Sequence, residues 1–302
     1  MQNTLDSFLL RATATLDRLE PLLPRSSQPV DWTQTLAARW IGNAQGGSLR
    51  PIQVRSTLQL NDLLGVERQR DQLLGNTRQF LLGLPCNHAL MWGARGTGKS
   101  SLVRAILSEH AEQGLRLIEV ERNDLEHLPL IVGALADLPQ KFIVFCDDLS
   151  FESGEGDYRI LKSILDGSLE QVPDNVVLYA TSNRRHLLPE YQSDNQNWQR
   201  SENGELHPSE AVEDKIALSD RFGLWLSFYA FSQDHYLDVV SHWVSHYAAP
   251  LKLSWRRDDE FEKHAIRWAQ ARGNRNGRCA EQFARHWVGV QALAQMQADG
   301  SV

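Results

Sequence analysis

Gly93-Ala94-Arg95-Gly96-Thr97-Gly98-Lys99-Ser100 fills every fixed position of the pattern G-x-x-x-x-G-K-[ST]. Its flanks decide what that is worth. Ala89-Leu90-Met91-Trp92 before it reads as a buried strand, and Ser101-Leu102-Val103-Arg104-Ala105-Ile106-Leu107 after it reads as a helix. A strand, a glycine-rich turn and a helix start form a phosphate cradle. The glycines let the loop curl so that backbone N–H groups converge, and the helix N-terminus adds the positive end of its dipole. In this reading residues Gly93 to Ser101 surround the phosphates of a nucleotide. Lys99 reaches the β- and γ-phosphates, and Ser100 ligates Mg²⁺. A glycine-rich turn that binds nothing does not account for a full match in that context.

Downstream, apolar runs alternate with helix-length segments. The runs are His88–Trp92, Leu115–Val120, Phe142–Cys146, Val176–Ala180 and Leu226–Phe231. Five such runs predict a parallel sheet covered on both faces. Trp225, Phe228, Tyr229 and Phe231 read as sheet core. The polar stretch 190–208 is too long for a simple turn and reads as a mobile or functional loop.

Phe142-Ile143-Val144-Phe145-Cys146-Asp147-Asp148 is an apolar strand that ends in two carboxylates. Asp147 is placed to hold the hydration shell of Mg²⁺, and Asp148 to polarise an attacking water, with Glu152 as a second candidate. Taken alone, two exposed acids closing a buried strand would be the plainer reading; the upstream phosphate loop favours the metal and water roles. Cys146 is expected to be a structural thiol. Val176–Asn183 is a further strand with a polar tip, where Asn183 either meets the γ-phosphate or caps the loop. Arg221, in Ser219-Asp220-Arg221-Phe222-Gly223-Leu224, is either an arginine finger for a neighbouring subunit or the partner of a local acid. Arg275 and Arg278 open the last helix, from which one could reach the nucleotide.

Helical spacing predicts helices over 4–22, from Trp32 to Trp40 and over Asn61–Leu82, with a Gly-rich connector, 42–47, after the second. Asp234–Tyr247, Asp258–Arg272 and Gly277–Met296 follow as a small all-helical unit. The expected organisation is an N-terminal helical region over 1–55, an αβ core over 56–232 and a helical lid over 233–302. His242 and His246 lie one helical turn apart, but Trp243 stands where a zinc peptidase needs Glu; a solvated helix face is expected.

Hydrophobic residues at 42% and charged residues at 23% exclude a mainly disordered chain. A net charge of −7 gives no overall attraction to nucleic acid or anionic lipid. Cys86, Cys146 and Cys279 are widely spaced with no CxxC, which points to a reducing compartment. No apolar run approaches the ~20 residues of a membrane helix. The first residues carry Asp6 and Arg11 and no long apolar stretch, so a cytoplasmic location is expected.

In the order GARGTGKS, FIVFCDD, VVLYATSN and SDRFGL, followed by a helical unit with Gly277-Arg278, the chain resembles the AAA+ ATPases. FIVFCDDLSFE and EAVEDKIALSDRFGL resemble, more narrowly, a prokaryotic family of predicted AAA+ ATPases of unknown function. The resemblance covers residues 56–298. It implies an α/β P-loop NTPase core with a five-stranded sheet, a C-terminal helical lid and an N-terminal helical extension, with ATP bound between subunits. Leu64-Gly65-Val66-Glu67 resembles the segment that contacts adenine, so Gly65 and Val66 join the nucleotide site. It further implies that Asn183 is sensor 1, Arg221 the arginine finger and Arg278 the sensor-2 arginine. Asp148 departs from the usual Glu. Threading members of the family carry an aromatic–apolar–Gly pore loop after the second strand; Glu121–Leu128 has no aromatic residue and no glycine, so threading of unfolded chains is not expected. The expected activity is ATP hydrolysis at the interface of a homo-oligomer, with a hexamer as one candidate size, to remodel or load an unknown protein client. A slow ATP-dependent switch or scaffold is the alternative.

Overall fold

The computed structural model describes residues 29–43, 46–54, 58–149, 155–165, 172–183, 199–200, 206–207, 218 and 220–298. The helix expected over 4–22, Glu152 and most of the polar stretch 190–208 lie outside the described residues. The strands are β1 (Ala37–Ile41), β2 (Ser48–Ile52), β3 (Ala89–Gly93), β4 (Leu115–Val120), β5 (Lys141–Cys146), β6 (Val176–Ser182), the short β7 (Gln199–Arg200) and β8 (Leu206–His207), and β9 (Leu224–Phe228). The helices are α1 (Glu67–Leu81), α2 (Lys99–His110), α3 (Leu128–Leu135), α4 (Glu155–Leu165), α5 (Gln233–Ala248), α6 (Asp259–Ala271) and α7 (Gly277–Ala298).

Seven strands share one sheet in the order β2-β1-β4-β5-β6-β3-β9, parallel throughout except that β2 pairs antiparallel with β1. The five expected strands are its core, β4 through β9. β6 is buried at every position and β5 at every position but Lys141, as a sheet covered on both faces requires. Parallel crossovers are right-handed. The helix α2, which leads from β3 out to β4, therefore lies on one face, and α3 and α4, which lead back through β5 to β6, lie on the other. On the first face Leu102, Val103 and Ile106 of α2 and Leu73 and Phe80 of α1 pack against Met91, Ile143, Phe145, Val177 and Phe228. Each such side chain, fully buried, contributes ~1.5–3 kcal/mol. Tyr229, expected in the core, is exposed at the end of the edge strand β9.

The structure also corrects the sequence reading in the number of strands and in the segment before the connector. The sheet has seven strands, not five, and the segment from Trp32 to Trp40 is not a helix. Its Ala37-Ala38 pair favours a helix locally, but pairing outweighs propensity here. Ala37 and Ala38 are buried opposite Leu117 and Ile118 of β4, and the Arg39 guanidinium reaches Glu119 at 2.9 Å. The N-terminal region expected over 1–55 thus contains two strands that extend the core sheet. They also hold the segment at the pore-loop position. Arg122–His127 is a 3₁₀ helix with Leu125 buried, and the His127 ring lies 5.8 Å from the Trp40 ring.

The C-terminal helices α5, α6 and α7 enclose a core of their own, including Tyr236, Val240, Phe261 and Phe283. They belong with the sheet to one unit, Trp32–Val302. Among the described residues no helix is long and apolar enough to cross a membrane.

Candidate functional site

The phosphate loop links the C-terminal end of β3 to α2. Gly93 and Gly96 adopt φ of 125° and 74°, which favour glycine. A Cβ on Gly93 would collide with the Phe228 carbonyl oxygen, so no other residue fits there. Inside the loop the Thr97 hydroxyl donates to the Ala94 carbonyl at 2.8 Å. The first N–H groups of α2 have no intrahelical acceptor and are the donors such a loop offers an anion.

Lys99 is buried, and its Nζ donates to the Gly93 and Ala94 carbonyls at 2.8 Å each and to Asn183 Oδ1 at 3.3 Å. Burial pulls its pKa down to about 8; Asp147 and Asp148 offset part of that. Ser100 Oγ donates to Asp147 Oδ1 at 2.6 Å, and Thr181 Oγ1 donates to the same oxygen at 2.5 Å. The Asp148 N–H donates to Thr181 Oγ1 at 2.9 Å. Asp148 sits at φ 54°, which Asp tolerates better than most residues, and its Oδ1 accepts from the Asn183 amide. Burial, with Asp147 beside it, pushes the Cys146 thiol up to about 12, so the thiol stays protonated and inert.

These groups lie at one end of a cleft of about 520 Å³ between the core and the C-terminal helices. Leu64 and Val66 also line it, with Val239 and Trp243 of α5, as apolar lining residues. Gly65, between those two, donates its N–H to Glu67 Oε1 at 2.7 Å and packs against the His235 ring. From α7 come Gly277, Arg278 and Glu281. Of the residues read from the sequence, Val66, Arg95 to Ser101, Asp147, Asp148, Asn183 and Arg278 line this cleft, whereas Gly65, Gly93 and Ala94 are not among its lining residues.

Arg221 is not among the lining residues. It precedes β9, which runs parallel to β3, so it stands at the end of the sheet opposite its own phosphate loop.

Thr181, Asp62, Trp243 and Asn276 are site residues that sequence reasoning did not find. Thr181 sits at the polar tip already noted, two positions before Asn183. Asn276, directly before Gly277, carries the ordinary preference of Asn for a helix N-cap. Asp62 had no local signal. Its Oδ1 lies 3.1 Å from His242 Nε2, so His242 is half-buried against Asp62, while His246 is exposed as expected.

Residues 33–291 match the family described as "Protein of unknown function (DUF815)". The chain belongs to the DUF815 family. Among solved structures, Orc1 of Aeropyrum pernix, in a complex with DNA, is 16% identical with a TM-score of 0.51, over 79% of this chain and 65% of that one. The RuvB Holliday junction branch migration motor of Thermotoga maritima is 16% identical with a TM-score of 0.48, over 81% of this chain and 72% of that one. No curated protein matches the chain in sequence. The DUF815 chain has the AAA+ ATPase fold, with two strands added at the β4 edge of the sheet.

Proposed function

We propose that this DUF815 protein is an ATP hydrolase that works as a homo-oligomer with sites shared between subunits. One observation carries the reading: Lys99 Nζ, the Ser100–Asp147 pair and the Asp148–Asn183 pair converge within hydrogen-bond reach at the phosphate loop of one cleft. The donor set fits the substrate. Lys99 Nζ now donates to two loop carbonyls and Asn183 Oδ1, and phosphate oxygens are better acceptors for its hydrogens. Leu64, Val66 and Trp243 offer a base apolar contacts. Ser100 Oγ and Asp147 are hard oxygen ligands that would hold Mg²⁺, which when bound screens charge on the β- and γ-phosphates. Thr181 fixes Asp147 and also the backbone of Asp148. With Oδ1 taken by Asn183, Asp148 Oδ2 is the acceptor for the attacking water.

In this reading residues 56–232 are the ATPase core and 233–302 a lid, and turnover drives the loading or remodelling of a protein client in the cytoplasm. The Orc1 structure is a DNA complex, but DNA is not proposed as a ligand here, because a chain of net charge −7 gains nothing from a polyanion overall. Phosphate release measured against protein concentration tests shared sites. Specific activity rises with concentration if neighbours complete each site, and a constant specific activity overturns that part.

The second reading, a slow switch, is favoured by Asp148 itself, one methylene shorter than Glu and tied to Asn183. Asp148→Asn separates the two. Water activation contributes ~10²–10⁴-fold. The variant is expected to bind ATP within about threefold of wild type and to turn over about a hundredfold more slowly. Single-turnover chemistry at the wild-type rate would move the role to another acid, with Glu152 next.

Lys99 sets a pH dependence. Phosphate raises the pKa of a lysine beside it, so binding above about pH 8 takes up a proton that the free site has lost. ATP affinity is expected to be flat below that pH and to fall by up to about tenfold per unit above it. Calorimetric titrations in two buffers of different ionisation heat read the proton uptake directly. An affinity unchanged up to about pH 9.5 would contradict the assignment.

A further inference from the structure

The turn between α6 and α7 comes back to the phosphate loop, and Asn276 is the joint. Its Nδ2 donates to the Arg95 carbonyl at 2.8 Å, and its Oδ1 accepts from the Cys279 N–H at 2.8 Å, capping the first turn of α7. The Arg278 N–H donates to the Gly96 carbonyl at 3.2 Å, and the Phe231 N–H to the Arg275 carbonyl at 3.1 Å. Shape agrees with bonding. A Cβ on Gly96 would stand 2.7 Å from Asn276 Nδ2, and one on Gly277 would stand 3.2 Å from the Gly96 carbonyl. Residues 275–278 are therefore fastened to the loop that holds the phosphates as well as to the body of the lid.

We propose that Asn276 is a positioning residue: by bridging the phosphate loop and α7 it sets where Arg278 enters the cleft. This rests on the reading of the cleft as an ATP site. The job needs a donor and an acceptor on one short planar group. Serine keeps the capping acceptor but is too short to span to Arg95. Aspartate keeps the cap but sets a carboxylate against a carbonyl, beside the place where phosphate charge collects. Alanine would lose the cap as well, which confuses positioning with helix stability.

The test uses Asn276→Ser, Asn276→Asp, Arg278→Ala and the Asn276→Ser/Arg278→Ala double variant. In the ligand-free proteins, amide hydrogen exchange at Arg278 is expected to speed up about tenfold or more in both Asn276 variants, with exchange at Val240, Val244 and Phe283 unchanged. Turnover of Asn276→Ser is expected to fall about tenfold with ATP affinity within about threefold, and the double variant to be no slower than Arg278→Ala. That non-additivity separates positioning from a merely structural role. Unchanged Arg278 exchange in both variants overturns the clamp. Faster exchange with wild-type turnover, or losses that multiply in the double variant, overturns its link to Arg278. Wild-type protein that releases no phosphate refutes the hydrolase reading and, with it, this role in turnover; the exchange data still decide whether the clamp exists.

Discussion

Lys99→Ala is expected to lose ATP affinity by about a hundredfold or more and to remain folded. Charge-assisted hydrogen bonds contribute ~1.5–3 kcal/mol each, and each 1.4 kcal/mol is about tenfold, so two phosphate contacts account for that loss. The fold does not depend on the amine. Its present acceptors, the Gly93 and Ala94 carbonyls and Asn183 Oδ1, can be satisfied by water once the side chain is gone. Burial already disfavours its charge, as the fall to about 8 shows, so removing it also relieves a desolvation cost. Equilibrium binding of a fluorescent ATP analogue, read beside a thermal melt, checks both halves. Wild-type affinity in a folded variant would mean that the cleft does not hold phosphate in the way proposed.

The second large effect is expected at Arg221. In transition states of phosphoryl transfer, charge spreads over the γ-phosphate oxygens, and a fixed guanidinium in a dry site offsets it. Loss of a trans arginine typically lowers turnover by ~10³-fold or more. Arg221 stands at the end of the sheet away from its own loop, so in the proposed oligomer it is expected to complete a neighbour's cleft. Arg221→Ala keeps its own phosphate loop, and Lys99→Ala keeps its own arginine. Each alone is expected to be inactive, and their mixture to regain a measurable fraction of wild-type turnover. Co-assembly shown by sedimentation without any return of activity would exclude action in trans. So would full activity of Arg221→Ala alone, because the loss of a merely local ion pair leaves turnover nearly untouched.

Much of the site was legible because its chemistry is local in sequence. The loop and the first turn of α2 are consecutive residues, and Asp147 and Asp148 close a strand whose apolar run announces it. The helices α5, α6 and α7 were legible for the same reason: their apolar residues recur at a period that one segment displays alone. The strand β1 was not. Ala37, Ala38 and Trp40 become a strand only because the edge of β4 offers them hydrogen bonds and an apolar floor, and no window around residue 37 contains β4. Tyr229 failed in the opposite sense: it lies directly after an apolar strand, yet that strand is an edge, and its ring is left in solvent.

By itself, then, the chain's order of residues determined that a phosphate loop follows a buried strand, that two carboxylates lie at the tip of another, and that helices finish the chain. Those are short-range facts, set by hydrophobic period, glycine conformation and side-chain type. Only the tertiary structure decided the partners. It set the strand order, the turn of Asp148 toward Asn183, the meeting of Asp62 with His242 across 180 residues, and the seating of Asn276 on the phosphate loop 181 residues away. Contacts of that span depend on how the crossovers wind and which faces of the sheet and helices meet. A sequence read one window at a time contains the groups but not their distances.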